Sequence, residues 1–174
     1  FLKNLISLKD EPNELCLSYM PVAMTTKVLD VSLLIAATIA EYSHMSENSK
    51  NLEIAHRLTN YVVKQQTEEG AWFYTDPPEH SHIRHDNYHT GFILDSLWRY
   101  MNYTEDRDWE NNYWHGLDFY ANQLFNLDGS PRWMSDKDFP NDIHGAAQGI
   151  LTFSRHRSNY PGRYHSLTVF SCGT

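Results

Sequence analysis

A repeat of 56 residues constrains the fold of this chain more than any other feature. Asp30, Asp86 and Asp142 are each separated by 56 residues, and each is followed by an apolar segment rich in small residues. Periods of this length are typical of stacked supersecondary units. Aspartate favours the position before the first turn of a helix, where its carboxylate accepts hydrogen bonds from unpaired backbone N–H groups. We therefore predict three helices that each begin with an aspartate cap.

Two kinds of apolar pattern alternate along the chain. Residues 51–66 and 108–125 place apolar side chains at spacings of three and four with polar ones on the other side, which predicts half-exposed helices. Residues 33–39 and 92–101 have little polar face, which predicts helices enclosed by their neighbours. The alternation predicts an all-α fold, a segment of an α/α toroid with about three pairs of outer and inner helices.

The same pattern sets the expected extent of the domain. Residues 1–155 are predicted to form one partial α/α-toroid domain, and residues 156–174 are an unassigned tail. The opening segment FLKNLISL matches the end of an outer helix, so the chain is expected to begin inside a repeat. Complete rings commonly contain about five to seven helix pairs. We therefore expect a fragment whose open apolar edges meet missing chain or a second copy.

Charge and composition exclude several classes of function. The 22 acidic and 14 basic residues give a net charge of −8, which repels a phosphate backbone, so no nucleic-acid partner is expected. The longest apolar run, residues 31–40, is much shorter than the ~20 residues of a membrane span. Cys16 and Cys172 lie near opposite ends of the chain, and we expect reduced thiols in a cytoplasmic protein. The sequence identifies no cofactor.

Two matching loops gather the residues that carry chemistry. Each loop contains a glycine, then an aromatic residue, then polar residues, and ends with the aspartate cap and a histidine in the first turn of the next helix. Because the loops precede consecutive inner helices, we expect them side by side at one end of the fold. The candidate site residues are Trp72, Tyr74, Arg84, His85, Asp86 and His89 in the first loop and Arg132, Trp133, Asp142 and His144 in the second.

His89 and His144 are the candidate catalytic acid and base. The positive end of the helix dipole is expected to lower the pKa of a histidine in the first turn and to keep a neutral imidazole ready to act as a base or a ligand. Asp86 and Asp142 are the candidates for orienting the two rings. The alternative is that the aspartates only cap their helices and the histidines only pack, since caps are common at such positions.

The other loop residues are candidates for substrate binding. Trp72 and Tyr74 are predicted to stack on a sugar ring, with Trp133 as a further platform. Arg84 and Arg132 are predicted to hold a carboxylate in two parallel hydrogen bonds. The alternative for both tryptophans is packing between outer helices, because large aromatic residues dominate packing energy.

Three further histidines, His80, His82 and His85, lie in the longer loop. They have neither a cysteine partner nor an HExxH frame, so the sequence predicts no metal site. His80 and His82 are interpreted as solvated loop residues, and His85, directly before the cap, as a substrate-binding residue. No GxSxG, P-loop, GxGxxG or nucleophilic Cys–His pattern occurs in the sequence.

Residues 66–72, Gln-Thr-Glu-Glu-Gly-Ala-Trp, resemble the QW motif of terpenoid cyclases and related prenyltransferase-type toroids, in which Gln and Trp lock an outer helix to its neighbour. The third repeat matches imperfectly, with Gln123 in place and Trp133 two positions late. The DxDD acid of squalene cyclases and the zinc-binding cysteine of protein prenyltransferases have no counterpart here.

Residues 86–94 and 139–148 are similar to segments of toroid proteins found with surface-polysaccharide assembly genes. No reaction is settled for that family.

These features together predict a carbohydrate-active protein that binds or processes a glycan, including an acidic one, at the N-terminal mouth of the inner helices. The expected partner is an oligosaccharide or polysaccharide. Two alternatives stay open. One is an isoprenoid-processing enzyme of the cyclase or prenyltransferase type, which rests on the QW-like segment. The other is a non-catalytic scaffold or interaction module whose loops contact a protein partner.

Overall fold

The computed structural model describes residues 4–160 together with Gly162 and His165. Its strands are β1 (Ser7–Glu11), β2 (Glu14–Leu17), β3 (Lys27–Val28) and β4 (Thr75–Asp76), and its α-helices are α1 (Leu29–Ser46), α2 (Leu52–Val63), α3 (Asn87–Thr104), α4 (Glu110–Gln123) and α5 (Ile143–Arg155). Short 3-10 turns lie at Ser49–Asn51 and Pro78–His80. Cys172 and most of the unassigned tail lie outside the described residues.

The prediction of an all-α fold is wrong, because the chain contains a β-hairpin near its start. β1 and β2 pair antiparallel, with Glu11 opposite Glu14. The two residues between them, Pro12 and Asn13, explain the hairpin: proline has no N–H to continue a helix, and both residue types favour tight turns. The outer helix expected before the first inner helix is therefore replaced by a hairpin in the described chain.

A second pair of short strands joins two distant parts of the chain. β3 and β4 pair antiparallel, with Val28 opposite Thr75. The described residues thus form a mixed fold of five α-helices and two small antiparallel sheets, which replaces the expected α/α toroid of about three helix pairs. Only two pairs of consecutive helices, α1 with α2 and α3 with α4, are seen in this part of the chain.

The helices themselves lie where the apolar patterns predict them. α1, α3 and α5 pack side by side, and α2 and α4 pack on α1 and α3 respectively. α1 is buried on several sides, as Leu33, Ala36 and Ala37 show, whereas α2 and α4 each expose one side. Among the residues placed by the structure, no helix combines the length and the apolar character that crossing a bilayer requires.

The QW-like segment joins the end of α2 to α4. The Trp72 Nε1–H donates a hydrogen bond to the Val62 carbonyl oxygen (3.0 Å), and the indole ring lies directly against Gly116 of α4. The Gln66 side-chain amide donates to the Asn112 carbonyl oxygen (2.9 Å) and accepts from Asn112 Nδ2 (2.8 Å). These contacts fix the start of the loop that leads into α3.

We expect the substitution Gly70→Ala to destabilise this junction. Gly70 has a φ of 90°, a left-handed conformation that disfavours a side chain, and an added Cβ would lie 2.6 Å from the His115 carbonyl oxygen. The free energy of unfolding, measured by urea titration, should fall by more than about 1 kcal/mol. Gly162→Ala is the control, because no heavy atom of the described residues lies within 4 Å of an added Cβ there. Equal losses in the two variants would contradict the strain at Gly70.

Candidate functional site

The first turns of α1, α3 and α5 lie together at one end of the three-helix layer. Asp86 precedes α3, and its Oδ1 accepts a hydrogen bond from the His89 backbone N–H (3.0 Å). Asp142 precedes α5, and its Oδ1 accepts from the His144 backbone N–H (2.9 Å). The predicted caps at these two aspartates are confirmed, and each cap places a histidine in the first turn of its helix.

Asp30 differs from the other two repeat aspartates. It is the second residue of α1, so the N-cap position of this helix is occupied by Val28 and not by the aspartate. Val28 pairs with Thr75 across the small sheet, and the Leu29 N–H donates to the Tyr74 carbonyl oxygen (3.1 Å), so a distant strand holds the start of this helix. The prediction that Asp30 occupies the N-cap position is therefore wrong.

His89 lies at the centre of the site. Its Nδ1 is 2.8 Å from Asp86 Oδ1, and its ring centre is 4.3 Å from that of Tyr74. Burial alone favours the neutral ring, but the hydrogen bond and charge of Asp86, together with the charges of Asp30 and Asp142, raise the pKa of His89 above its usual value. The expectation of a lowered pKa is wrong here, because the nearby carboxylates outweigh the roughly half-unit charge of a helix end.

His144 repeats this arrangement closer to the solvent. Its Nδ1 is 2.9 Å from Asp142 Oδ1. The side chain of His144 is 67% exposed, whereas that of His89 is 23% exposed. The Tyr88 ring contacts both imidazoles, with ring centres 5.4 Å from His89 and 5.3 Å from His144. Two aspartate-bound histidines thus flank one tyrosine, and His89 is the more enclosed of the two.

Backbone pairing holds the two loops side by side. The Asn87 N–H donates to the Trp133 carbonyl oxygen (3.1 Å), and Asp86 and Met134 form an isolated antiparallel bridge next to this bond. The pairing fixes Asp86 relative to the loop that precedes α5. Because Asp86 holds the imidazole of His89, the ring is fixed with it.

The two loop tryptophans lie in different environments. Trp72 is 1% exposed, so its ring is inside the core and a sugar has no access to it. Its contacts fit the packing alternative rather than stacking on a ligand. Trp133 is half-buried, with the Lys137 amino group 5.4 Å from its ring centre, and it makes no ring contact with His89 or His144.

The two candidate arginines are engaged with other groups. The Arg132 Nε–H donates to Asp138 Oδ1 (2.8 Å). The Arg84 guanidinium lies 5.3 Å from the ring centre of Phe73. Neither guanidinium makes a hydrogen bond or an ion pair with His89 or its carboxylate neighbours in the described part of the chain. In the described residues, the two arginines therefore do not form a carboxylate-binding pair beside the two histidines.

His85 faces the helix α4 rather than the first turns. Its ring centre is 4.2 Å from that of Phe73 and 5.7 Å from that of Phe119 in α4. Burial, followed by the nearby charge of Arg84, lowers the pKa of His85. The structure thus separates His85 from Tyr74, another candidate substrate-binding residue of this loop, which contacts His89.

A groove of about 560 Å³ lies on the surface of α4, away from the predicted catalytic residues. Its lining includes Glu69, His115, Asp118, Asn122 and Ser135.

His80 and His82 are exposed in the loop before α3. Across residues 4–160, Gly162 and His165, no three histidine, cysteine, aspartate or glutamate side chains are grouped so that they could hold a metal ion.

Sequence reasoning misses two residues of this site. Tyr88 lies between the histidines, and the signal for it is an aromatic residue directly before His89 in the first turn of α3. The 56-residue period does identify Asp30. Its interpretation as a helix cap, however, does not predict that its charge acts on His89.

The geometry of the first turns is the main ground for assigning a function. In comparisons with known proteins, no family model, curated protein or solved structure matches this chain. The contacts and charges around His89 therefore decide which chemistry the site supports.

Proposed function

We propose that this chain binds a hydroxyl-rich glycan at the first turns of α1, α3 and α5 and processes it by proton transfer at His89. The observation that carries the proposal is the position of Tyr88 between two aspartate-bound imidazoles, 5.4 Å from His89 and 5.3 Å from His144. An aromatic face beside a few convergent polar groups is typical of small-ligand sites. The resemblance of residues 86–94 and 139–148 to proteins of surface-polysaccharide assembly supports the same substrate class.

His89 has the contacts of a general acid–base residue. Its Nδ1 is bound to Asp86, which orients the ring, so Nε2 is the atom that exchanges a proton with a ligand. The raised pKa of His89 increases the protonated fraction of the ring near neutral pH. An imidazole held at Nδ1 by a carboxylate can give and take a proton at Nε2, as a general acid–base residue must.

The charges at the first turns favour a neutral glycan over an acidic one. Asp30, Asp86 and Asp142 all act on His89, and these carboxylates repel a ligand of the same charge. Of the two candidate arginines that could hold an acidic sugar, Arg132 is paired with Asp138, and Arg84 lies over the Phe73 ring rather than beside the histidines. We therefore take a neutral glycan as the ligand.

The two other hypotheses have weaker support. The QW-like segment, on which the isoprenoid hypothesis rests, is accounted for by helix packing through Gln66 and Trp72. The scaffold hypothesis requires that His89 can be replaced without loss of function. Substitution of His89 therefore separates the scaffold from the enzyme.

A thermal-shift screen of the full chain tests the glycan proposal. The panel contains maltotriose, cellotriose, mannotriose and chitotriose as neutral ligands and trigalacturonate as an acidic one. We expect a neutral trisaccharide to raise the melting temperature, because a ligand at about 100 times its Kd adds about 2.7 kcal/mol to the free energy of unfolding.

Two variants show whether the shift comes from the first turns. Tyr88→Ala should lose the shift, because it removes the ring between the two imidazoles. Trp133→Ala should keep it, since that ring contacts neither of them. Both variants are first compared with the wild type by circular dichroism. A panel without any response, or an equal shift in Tyr88→Ala, would overturn the proposal.

A further inference from the structure

The outer face of α5 is apolar and exposed in the described part of the chain. Ile143, Ala147 and Leu151 lie at intervals of four residues, so they share one side of the helix, and all three are exposed. The exposed fractions of Ile143 and Leu151 are 73% and 53%, and Phe139, in the loop before the helix, is 74% exposed. Exposed apolar side chains that are grouped in this way are typical of an interaction surface.

The 56-residue repeat relates this face to a packing surface inside the protein. α3 packs on α5 through Gly91, whose carbonyl oxygen accepts a hydrogen bond from Gln148 Nε2 (3.3 Å), and through the ion-paired Asp95. The residues 56 positions after Gly91 and Asp95 are Ala147 and Leu151. The exposed face of α5 is thus the equivalent of the face by which α3 packs on its neighbour.

The charge pattern of the repeat changes at this face. Arg99 of α3 is ion-paired with Glu41 of α1, and Arg155 of α5, 56 residues later, is ion-paired with Asp95 of α3. Each helix thus provides an acid for the arginine of the next. On the outer face of α5 the acid is replaced by Leu151, which cannot pair with an arginine and is stabilised by contact with another apolar side chain. The surface that is complementary to this face is therefore apolar, as the face itself is.

The ends of α5 carry opposite charges, which favours an antiparallel partner helix. The Asp142 side chain is 39% exposed at the N-terminal end, and Arg157 is exposed just after the C-terminal end. An antiparallel copy of α5 would bring the acidic end of each helix toward the basic end of the other, and it would also oppose the two helix dipoles. A parallel copy would bring like charges together.

We propose that the outer face of α5 is an interface between two copies of this chain, with the two helices antiparallel about a twofold axis at Ala147. Ala147 lies midway between Ile143 and Leu151, so Ile143 of one copy packs against Leu151 of the other copy. The small side chain at the axis lets the two helices approach closely. This association is independent of glycan binding.

The interface is small, which sets the expected strength of the dimer. A stable protein–protein interface buries about 800 Å² per partner. The outer face of one helix of 13 residues provides less than this. We therefore expect the dimer to dissociate in the micromolar range, so that the monomer and the dimer are both measurable.

Analytical ultracentrifugation of the full chain tests the association. Between about 1 and 100 µM, the mass of the wild type should rise from that of one chain toward that of two. Leu151→Glu should weaken the dimer at least about tenfold, because it places a charge in an apolar contact. Met45→Glu is the matched control, since Met45 is 76% exposed on α1 and should leave the association unchanged. A monomeric wild type, or equal association in Leu151→Glu, would overturn the proposal.

A cysteine at position 147 tests the twofold axis. Ala147→Cys and Met45→Cys are each combined with Cys172→Ser, and the remaining Cys16 is 0% exposed. Under mild oxidation Ala147→Cys should form at least about tenfold more disulfide-linked dimer than Met45→Cys, because equal positions meet at a twofold axis. Circular dichroism first shows that each variant keeps the helical content of the wild type. A dimeric wild type without a disulfide in Ala147→Cys would overturn the antiparallel arrangement.

Discussion

Replacing Trp72 by alanine is expected to lower the free energy of unfolding by about 3–5 kcal/mol, the usual loss for a buried aromatic side chain. The indole is 1% exposed, its Nε1–H donates to the Val62 carbonyl oxygen (3.0 Å), and its ring lies against Gly116. Alanine would leave a cavity between α2 and α4 and a carbonyl without its donor. Urea unfolding followed by far-UV circular dichroism measures the change.

Trp133→Ala is the matched control for this substitution. Trp133 follows the glycine of the corresponding loop, as Trp72 does, but it is half-buried at the surface. Its removal should lower the free energy of unfolding by less than about 1 kcal/mol. A loss of stability at Trp133 as large as that at Trp72 would show that the two rings have the same structural role. That result would contradict the difference in burial between them.

His89→Gln is expected to reduce turnover of a bound trisaccharide by about 10²–10⁴-fold, the range for loss of a general acid–base group. Glutamine keeps a polar side chain but does not transfer a proton at Nε2. Because Tyr88 remains in place, KM should change much less than kcat. Product formation is measured by chromatography across a series of pH values. The wild-type profile should show an inflection above the ordinary histidine value of about 6.5, because the pKa of His89 is raised.

His144→Gln provides the comparison within the same site. The His144 side chain is 67% exposed and interacts with a single carboxylate at 2.9 Å, so its loss should reduce turnover by less than about tenfold. Unchanged turnover in His89→Gln would contradict proton transfer at His89, whereas absence of turnover in the wild type would favour the scaffold hypothesis. A larger effect at His144 than at His89 would move the proton transfer to the exposed ring.

Local patterns in the sequence are sufficient to predict the helices and two of the caps. The spacing of apolar residues in α1 to α4 depends only on residues within a few turns, and these segments fold as the spacing predicts. Asp86 and Asp142 also act locally, since each caps the N–H of a residue two or three positions later. The neighbouring positions of His89 and His144 follow from these caps once the helices pack side by side.

The errors in the prediction come from strand pairing. The turn at Pro12 and Asn13 is a local signal for a hairpin, but the strands beside it are only four or five residues long and their apolar residues can be mistaken for a helix end. The pairing of Val28 with Thr75 joins residues far apart in the sequence, and no local pattern reveals it. That pairing is what takes Asp30 out of the capping position.

The sequence also does not reveal which side chains of the two matching loops are buried. Trp72 and Trp133 follow similar residues, yet only Trp72 reaches the glycine of α4 that leaves room for an indole ring. Arg132 is bound to Asp138, six residues further along the same loop, so its charge is compensated there. Such contacts depend on how the loops lie on α4, which periodicity does not specify.

One titration tests most directly whether the first turns of three helices form a single binding site. Two-dimensional ¹H–¹⁵N NMR spectra of the full chain are recorded with increasing maltotriose, cellotriose, mannotriose or chitotriose. We expect the backbone amide signals of Asp30, Tyr88 and His144 to shift together with one Kd. Shifts confined to the α4 groove at Asp118 and Asn122, or no shifts with any of the four trisaccharides, would contradict a shared site at these turns.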